Sequence, residues 1–188
     1  MKLNFLKNKK ILVTGGTGSI GSSLVLALIK SPCKVVRVMS NDENGLYELA
    51  RDINSKFVIN YNLFTNQMEK QKIRFFLGDV RDVKRCNEIT NDVDIVIHAA
   101  AIKHVNISEY NSRDAMQTNL QGTKNMIKAS IKNNISKFLF ISTDKVVSPT
   151  NVMGKSKFLA EKFVINSKKI IGRKKIKVSA IRFGNVIG

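Results

Sequence analysis

Cysteine, histidine and acidic residues are scarce in this chain, and each scarcity removes a class of function. Its two cysteines, Cys33 and Cys86, lie far apart and neither has a C-x-x-C partner. A disulfide framework is therefore not expected, and both read as reduced thiols of a cytoplasmic protein. The two histidines, His98 and His104, come with no matching ligand set, so no metal site is expected. No run of about 18 apolar residues occurs, which argues against a membrane span within this chain. Residues 1–10 hold neither a long apolar stretch nor a cleavage site, so they do not read as a secretory signal.

Acid is the third shortage. Fourteen Asp and Glu stand against 32 Lys and Arg, a formal net charge of +18. One reading is an anionic partner; the other is a lysine-rich composition spread over a solvated surface. No nucleic-acid motif accompanies the charge and few aromatics are interleaved with it, so nucleic acid is not an expected partner. Help in binding nucleotide phosphates fits either reading. Repeats, low-complexity tracts and an interdomain linker are also missing, and residues 1–188 suffice for one domain with a sizeable core.

What the chain does contain is alternation. Short β-branched runs predict strands at 10–14, 35–39, 73–77, 94–98, 137–141 and 176–182. Helical patterns fall between them at 19–30, 43–59, 82–90, 107–132 and 151–171. This order predicts an α/β fold, a doubly wound parallel sheet of the Rossmann type with strand order 3-2-1-4-5-6. Ligands then belong above the strand C-termini, at the switch between strands 1 and 4. Residues 60–72 read as a polar connection without an evident role.

The turn after the first strand reads Gly15-Gly16-Thr17-Gly18-Ser19-Ile20-Gly21 and opens a helix. Glycines at 15, 18 and 21 give a variant of the dinucleotide fingerprint. The first turns the chain, the second leaves room for a pyrophosphate, and the third allows close helix packing. The helix N-terminus offers N–H groups to the phosphates, so Thr17, Ser19 and Ile20 join the glycines as cofactor candidates. Ser40, Asn41 and Asp42 follow strand 2, where a carboxylate binds ribose hydroxyls; they serve equally well as a helix cap. A neutral Asn41 and an acidic Asp42 favour NAD over NADP. Asp79 and Val80 follow strand 3, and Ala99-Ala100-Ala101 follow strand 4 as small residues against which a flat cofactor can lie. Lys103 and His104 stand next, at the mouth of the same pocket. Asn119 is a polar residue on an apolar helix face, either a core hydrogen-bonding group or a water-bound link to the site.

After strand 5 the sequence runs Ser142-Thr143-Asp144-Lys145, placing three groups able to move protons at a strand end. Met153 and Lys157, four residues apart, share one face of the following helix.

These strings, with Glu109-Tyr110-Asn111, Pro149 to Gly154 and Arg182-Phe183-Gly184-Asn185-Val186, resemble the extended short-chain dehydrogenase/reductase superfamily. Within it they resemble the UDP-N-acetylglucosamine 4,6-dehydratases of polysaccharide and glycan biosynthesis. The resemblance spans the whole chain in the expected order. It implies a homo-oligomeric enzyme using NAD or NADP on a UDP-sugar. Hydride leaves sugar C4, a proton leaves C5, water leaves from C6, and the hydride returns to C6. By the same resemblance Lys145 is the C5 base, Asp144 the acid at the C6 hydroxyl, and Thr143 a hydrogen-bond partner of the C4 oxygen. Lys157 holds the nicotinamide ribose, while Lys103 and Asn185 contact the UDP-sugar, with His104 a further substrate-pocket candidate.

Two departures stand out. Met153 occupies the position of the superfamily's usual Tyr, as in a subgroup of these dehydratases. The chain also ends at Gly188, directly after the sixth strand, where family members continue into a substrate-binding lobe; a fragment or truncated reading frame is expected. A UDP-sugar epimerase of the same superfamily stays open as an alternative, as does a non-catalytic dinucleotide-binding module.

Overall fold

Six short apolar runs become β1 Lys10–Thr14, β2 Val35–Ser40, β3 Ile73–Leu77, β4 Ile95–His98, β5 Lys137–Thr143 and β6 Lys177–Phe183. The computed structural model describes residues 3–56, 72–167, 171–172 and 175–184. All neighbouring strands pair in parallel, in the order β3-β2-β1-β4-β5-β6 that the alternation predicted.

Among the described residues seven α-helices accompany the sheet: α1 Ser19–Ile29, α2 Glu43–Lys56, α3 Val83–Thr90, α4 Val105–Tyr110, α5 Ser112–Met116, α6 Thr123–Lys132 and α7 Val152–Asn166. Because side chains alternate along a strand, β1 feeds both faces. Ile11 and Val13 pack with Val25, Leu28, Leu49 and Ile53 of α1 and α2. Leu12 packs on the opposite face with Met126 and Ile127 of α6 and Ala160 and Val164 of α7. Burial on both faces explains why the central strands read as unbroken apolar runs. The outermost β6 is different, with Lys177, Ser179, Ile181 and Arg182 exposed.

Caps fix where two helices begin. Asp82 accepts from the Arg85 amide at 3.0 Å to start α3, and Asn151 accepts from Gly154 at 2.8 Å to start α7. Glu109 adds a second clasp on α7, its carboxylate accepting from the Val152 amide at 2.8 Å.

The single helix predicted over 107–132 is instead broken. It divides into α4, α5, a π-helical turn over Gln117–Gly122, and α6. Asn111 interrupts the first part at φ −123°, ψ 49°, with its amide turned back to Ile107 O. The wider turn at 117–122 lets Gly122 approach Val80, where a Cβ would stand 2.5 Å from Val80 Cγ2. Apolar periodicity cannot register either event. The polar connection at 60–72 falls almost wholly outside the described residues, as does the predicted end of the 43–59 helix.

Candidate functional site

A cavity of about 720 Å³ lies over the C-terminal ends of β1 to β6. That is where the switch in strand order opens a crevice. Gly15, Thr17, Gly18, Ser19, Ile20 and Gly21 form one wall. Gly15 has φ +66°, and a Cβ there would sit 2.6 Å from the Ala100 backbone. The residue therefore serves both the turn and a close approach to the loop after β4. At Gly21 a Cβ would fall 2.1 Å from Gly15 O, so the first turn of α1 rests on the glycine turn itself. Gly18 contrasts with both: an added Cβ would meet only Gly15 O, at 3.4 Å. It caps α1 without any side-chain hydrogen bond, leaving the helix N–H groups to other acceptors. An open cradle at a helix N-terminus suits a dinucleotide pyrophosphate.

Ser40, Asn41 and Asp42 line the next wall, after β2. Ser40 Oγ meets Thr17 Oγ1 at 2.9 Å, tying the glycine turn to β2. Asp42 accepts from the Gly45 amide at 2.9 Å, so capping of α2 and a place in the cavity hold together. Asp79 and Val80 close this end. Burial disfavours the Asp79 carboxylate, but hydrogen bonds and charge from Arg81, helped by Asn41, outweigh it and hold the carboxyl below its usual range. Arg81 also lines the cavity, bridging Asp79 at 2.7 Å and Asp114 at 3.2 Å.

On the far side stand Ala99, Ala100, Ala101, Ile102 and Lys103. Lys103 Nζ reaches across to Ser19 Oγ at 3.5 Å. Thr143, Lys145, Met153 and Lys157 complete this end. The Lys157 ammonium is buried, donates to Ile141 O at 2.6 Å and stands 4.3 Å from the Phe140 ring centroid. Burial lowers its pKa to about 7, with Glu161 pulling the other way. Met153 is buried beside it, with no proton to exchange. Thr143 Oγ1 donates to Asp144 Oδ1 at 2.9 Å, and Lys145 Nζ meets the same oxygen at 3.4 Å. Those contacts, the Thr143 hydroxyl first, hold the Asp144 carboxyl below its ordinary range.

Three expected site residues stand apart. Asp144 is exposed and outside the cavity lining, though it touches Thr143 and Lys145, which belong to it. His104 is exposed at the start of α4 and does not line the cavity; Ile107, one helical turn on, faces it instead. Asn185 lies outside the described residues. The sequence reading gave no site role to Arg81, Asn111, Asp114 or Thr118, all of which line the cavity. Arg81 stood between Val80 and Asp82 in the sequence without being given a role. The others depend on the break in the 107–132 helix.

Asn119, left open between two roles, is buried and hydrogen-bonded on every side. It accepts from Ile102 N at 2.8 Å and donates to Ile102 O at 3.0 Å and Ser156 Oγ at 2.8 Å. Among the described residues no group of three His, Cys, Asp or Glu could hold a metal, and no helix is long and apolar enough to cross a membrane.

Comparison with known proteins gives this geometry its relatives. An uncharacterized membrane protein of Methanocaldococcus jannaschii is 45% identical over 184 residues, covering 98% of this chain and 51% of that protein. A Campylobacter jejuni UDP-N-acetylglucosamine 4,6-dehydratase (inverting) is 37% identical, over 96% of this chain and 50% of its own. A Rickettsia canadensis UDP-glucose 4-epimerase is 34% identical with the same two coverages. The solved structure of Pen from Bacillus thuringiensis superposes with a TM-score of 0.87 at 36% identity, over 98% of this chain and 54% of that one. The chain thus spans about half the length of the curated relatives it matches. The family model described as polysaccharide biosynthesis protein matches residues 11–188, and the chain belongs to that family, within the extended short-chain dehydrogenases/reductases.

Proposed function

We propose that this chain is the cofactor-binding part of a nucleotide-sugar 4,6-dehydratase acting on UDP-N-acetylglucosamine in polysaccharide or glycan biosynthesis. One observation carries the reading. Thr143, Asp144 and Lys145 leave β5 as a hydroxyl, a carboxylate and an ammonium in one contact chain, beside Lys157 and across from an open glycine cradle. The dehydratase among its relatives adds weight.

A dinucleotide bound in the cradle supplies a hydride acceptor for sugar C4 and a hydride donor for C6. Gly18 gives the pyrophosphate room, α1 gives it N–H donors, and Lys157 holds the nicotinamide ribose. Asp42 and Asp79 crowd the adenosine end with negative charge, and Arg81 is already shared between two carboxylates. That balance favours NAD over NADP, whose 2′-phosphate needs a free cation.

Lys145 removes the C5 proton, and the C5–H electron pair becomes the C5=C6 bond as the C6 oxygen leaves. Asp144 gives that oxygen its proton, so water departs. Both roles need the pair uncharged, whereas an ammonium and a carboxylate meet here in a solvated setting. Moving one proton along the 3.4 Å contact, from Lys145 to Asp144, yields the amine base and the carboxylic acid together. Covering the pair with a sugar removes water and favours the uncharged form. Thr143 then turns its hydroxyl from Asp144 to the C4 oxygen.

The test is Lys145→Ala in a polypeptide that also carries the half its relatives possess. C4 oxidation should persist, visible as reduced nicotinamide, while exchange of the C5 hydrogen with solvent falls about 10²–10⁴-fold. Exchange at the wild-type rate would remove Lys145 as the base. A second reading, a UDP-sugar epimerase, rests on the Rickettsia relative. Lys145 beside Asp144 favours the dehydratase, and loss of one water from the product separates the two.

A further inference from the structure

We propose that His98 is a positioning residue for the dinucleotide, closing a ring of hydrogen bonds that holds the loop Ala99–Lys103 in place; this rests on reading the cavity as the dinucleotide site. The proton directions in the ring follow from one fixed point. Asn119 O can only accept, so the Thr123 hydroxyl, 2.6 Å away, spends its single proton there. Thr123 Oγ1 must then accept from His98 Nε2, at 3.0 Å. With Nε2 protonated, Nδ1 of a neutral ring accepts from Thr14 Oγ1, at 2.7 Å. Thr14 Oγ1 in turn accepts from the Ala100 amide at 3.4 Å.

The far end closes through the Asn119 side chain, which grips both the N–H and the C=O of Ile102. The loop is thus held at Ala100 and again at Ile102, two residues apart, by groups that meet at His98. Thr14 ends β1 immediately before Gly15, whose turn lies against the Ala100 backbone. Asn119 also reaches Ser156, the neighbour of Lys157 on α7. One imidazole therefore sets the distance between the glycine turn, the loop that walls the cavity and the helix that carries the lysine. His98 touches neither cofactor nor sugar in this arrangement; it acts through the loop.

The imidazole is fully buried and lies against Phe138 and Phe140 of β5, each with its centroid 5.9 Å away. Burial, seconded by the Lys157 charge, keeps the imidazole neutral. The two-donor form would in any case leave Thr14 with no acceptor.

Two measurements on the 188-residue chain test the proposal. Only two histidines are present, so ¹⁵N NMR separates His98 from the exposed His104 without ambiguity. At neutral pH, His98 should show a protonated Nε2 with a slowly exchanging proton and a bare Nδ1. Calorimetry should find NAD bound about tenfold more weakly by His98→Phe and Thr123→Val, since each leaves a buried polar group unpaired beside the loop. Thr123→Ser, which keeps the hydroxyl, should restore affinity. If His98→Phe fails to fold, Thr123→Val alone decides. A folded Thr123→Val chain with wild-type affinity, or a His98 protonated at Nδ1, overturns the proposal. A wild-type chain without affinity for NAD overturns the cofactor reading and this proposal with it.

Discussion

At Gly18 the backbone has room for a side chain, while the pyrophosphate proposed to lie there leaves none. Its φ of −70° and ψ of 163° suit any residue, and an added Cβ meets nothing closer than 3.4 Å. Gly18→Val should therefore fold normally and lose dinucleotide binding, because its side chain enters the pyrophosphate position. Gly21 inverts this pattern. A Cβ there would be 2.1 Å from Gly15 O, so Gly21→Ala should lower the melting temperature as well. Calorimetry and thermal unfolding on the two variants separate a cradle from a packing contact. Equal NAD affinity for Gly18→Val and wild type would refute the placement. Both residues belong to one motif in the sequence, whose spacing assigned pyrophosphate room to Gly18 and close packing to Gly21. What spacing could not tell was the partner: Gly21 packs on the turn, and Gly15 on Ala100, far away in sequence.

The joint between α7 and β6 is the most informative element-level contact. Glu161, buried on α7, accepts from Arg182 Nη2 at 2.5 Å and from Ser142 Oγ at 2.5 Å. Burial opposes the Glu161 charge, but the Arg182 hydrogen bond leads the contacts that keep it ionised. Glu161→Leu should strand the buried Ser142 hydroxyl and destabilise the chain by about 1–3 kcal/mol, read from urea unfolding. Glu161→Gln keeps an acceptor and should cost less. A loss under 0.5 kcal/mol for the leucine variant, the ordinary scatter of surface changes, would show that this joint is not structural. Elements were legible where one rule sufficed. Apolar runs marked all six strands, and Asp82 and Asn151 marked two helix starts. The stretch 107–132 was misread because Asn111, Asn119 and Gly122 act through side-chain hydrogen bonds and close packing that helical periodicity does not encode. The misreading mattered for the site, since Asn111, Asp114 and Thr118 line the cavity from that stretch.

For the molecule as a whole, two buried groups give stability the same dependence on pH. His98 titrates at about 3 in the folded chain against 6.5 in a free imidazole. Between those values the unfolded chain holds the extra proton, so stability rises with pH and is lost as pH falls below about 6.5. Lys157 behaves alike between about 7 folded and 10.5 unfolded. Each contributes a slope near 1.4 kcal/mol per pH unit inside its window. Cys86 opposes them above pH 9, where the unfolded thiol ionises and the buried one, raised to about 12, does not. The Lys157 window is therefore clearest from pH 7 to 9, and Lys157→Met should flatten it in urea titrations. An unchanged slope in that variant would mean the ammonium is solvated. Function at this scale has its own expectation: the 188 residues bind dinucleotide but do not turn over UDP-N-acetylglucosamine. Over the Thr143–Lys145 end, Asp144 and Lys145 keep side-chain exposures of 55% and 42%, so water stays around the proposed acid and base. Mass spectrometry after incubation with NAD and the sugar nucleotide decides this, and a clear dehydrated product would show that no further cover is needed. A last consequence concerns inheritance, and it comes from the hydrogen-bond ring through His98. Each member spends one proton and receives one, so a change at Thr14, His98 or Thr123 alone leaves a neighbour unpaired in the dry interior. Replacing all three with apolar residues of similar shape removes the unpaired side-chain groups together, leaving the Ala100 amide and Asn119 O without the partners that Thr14 and Thr123 gave them. Single steps between those two solutions pass through a destabilised chain, so descendants should carry the trio intact or have exchanged it as a block.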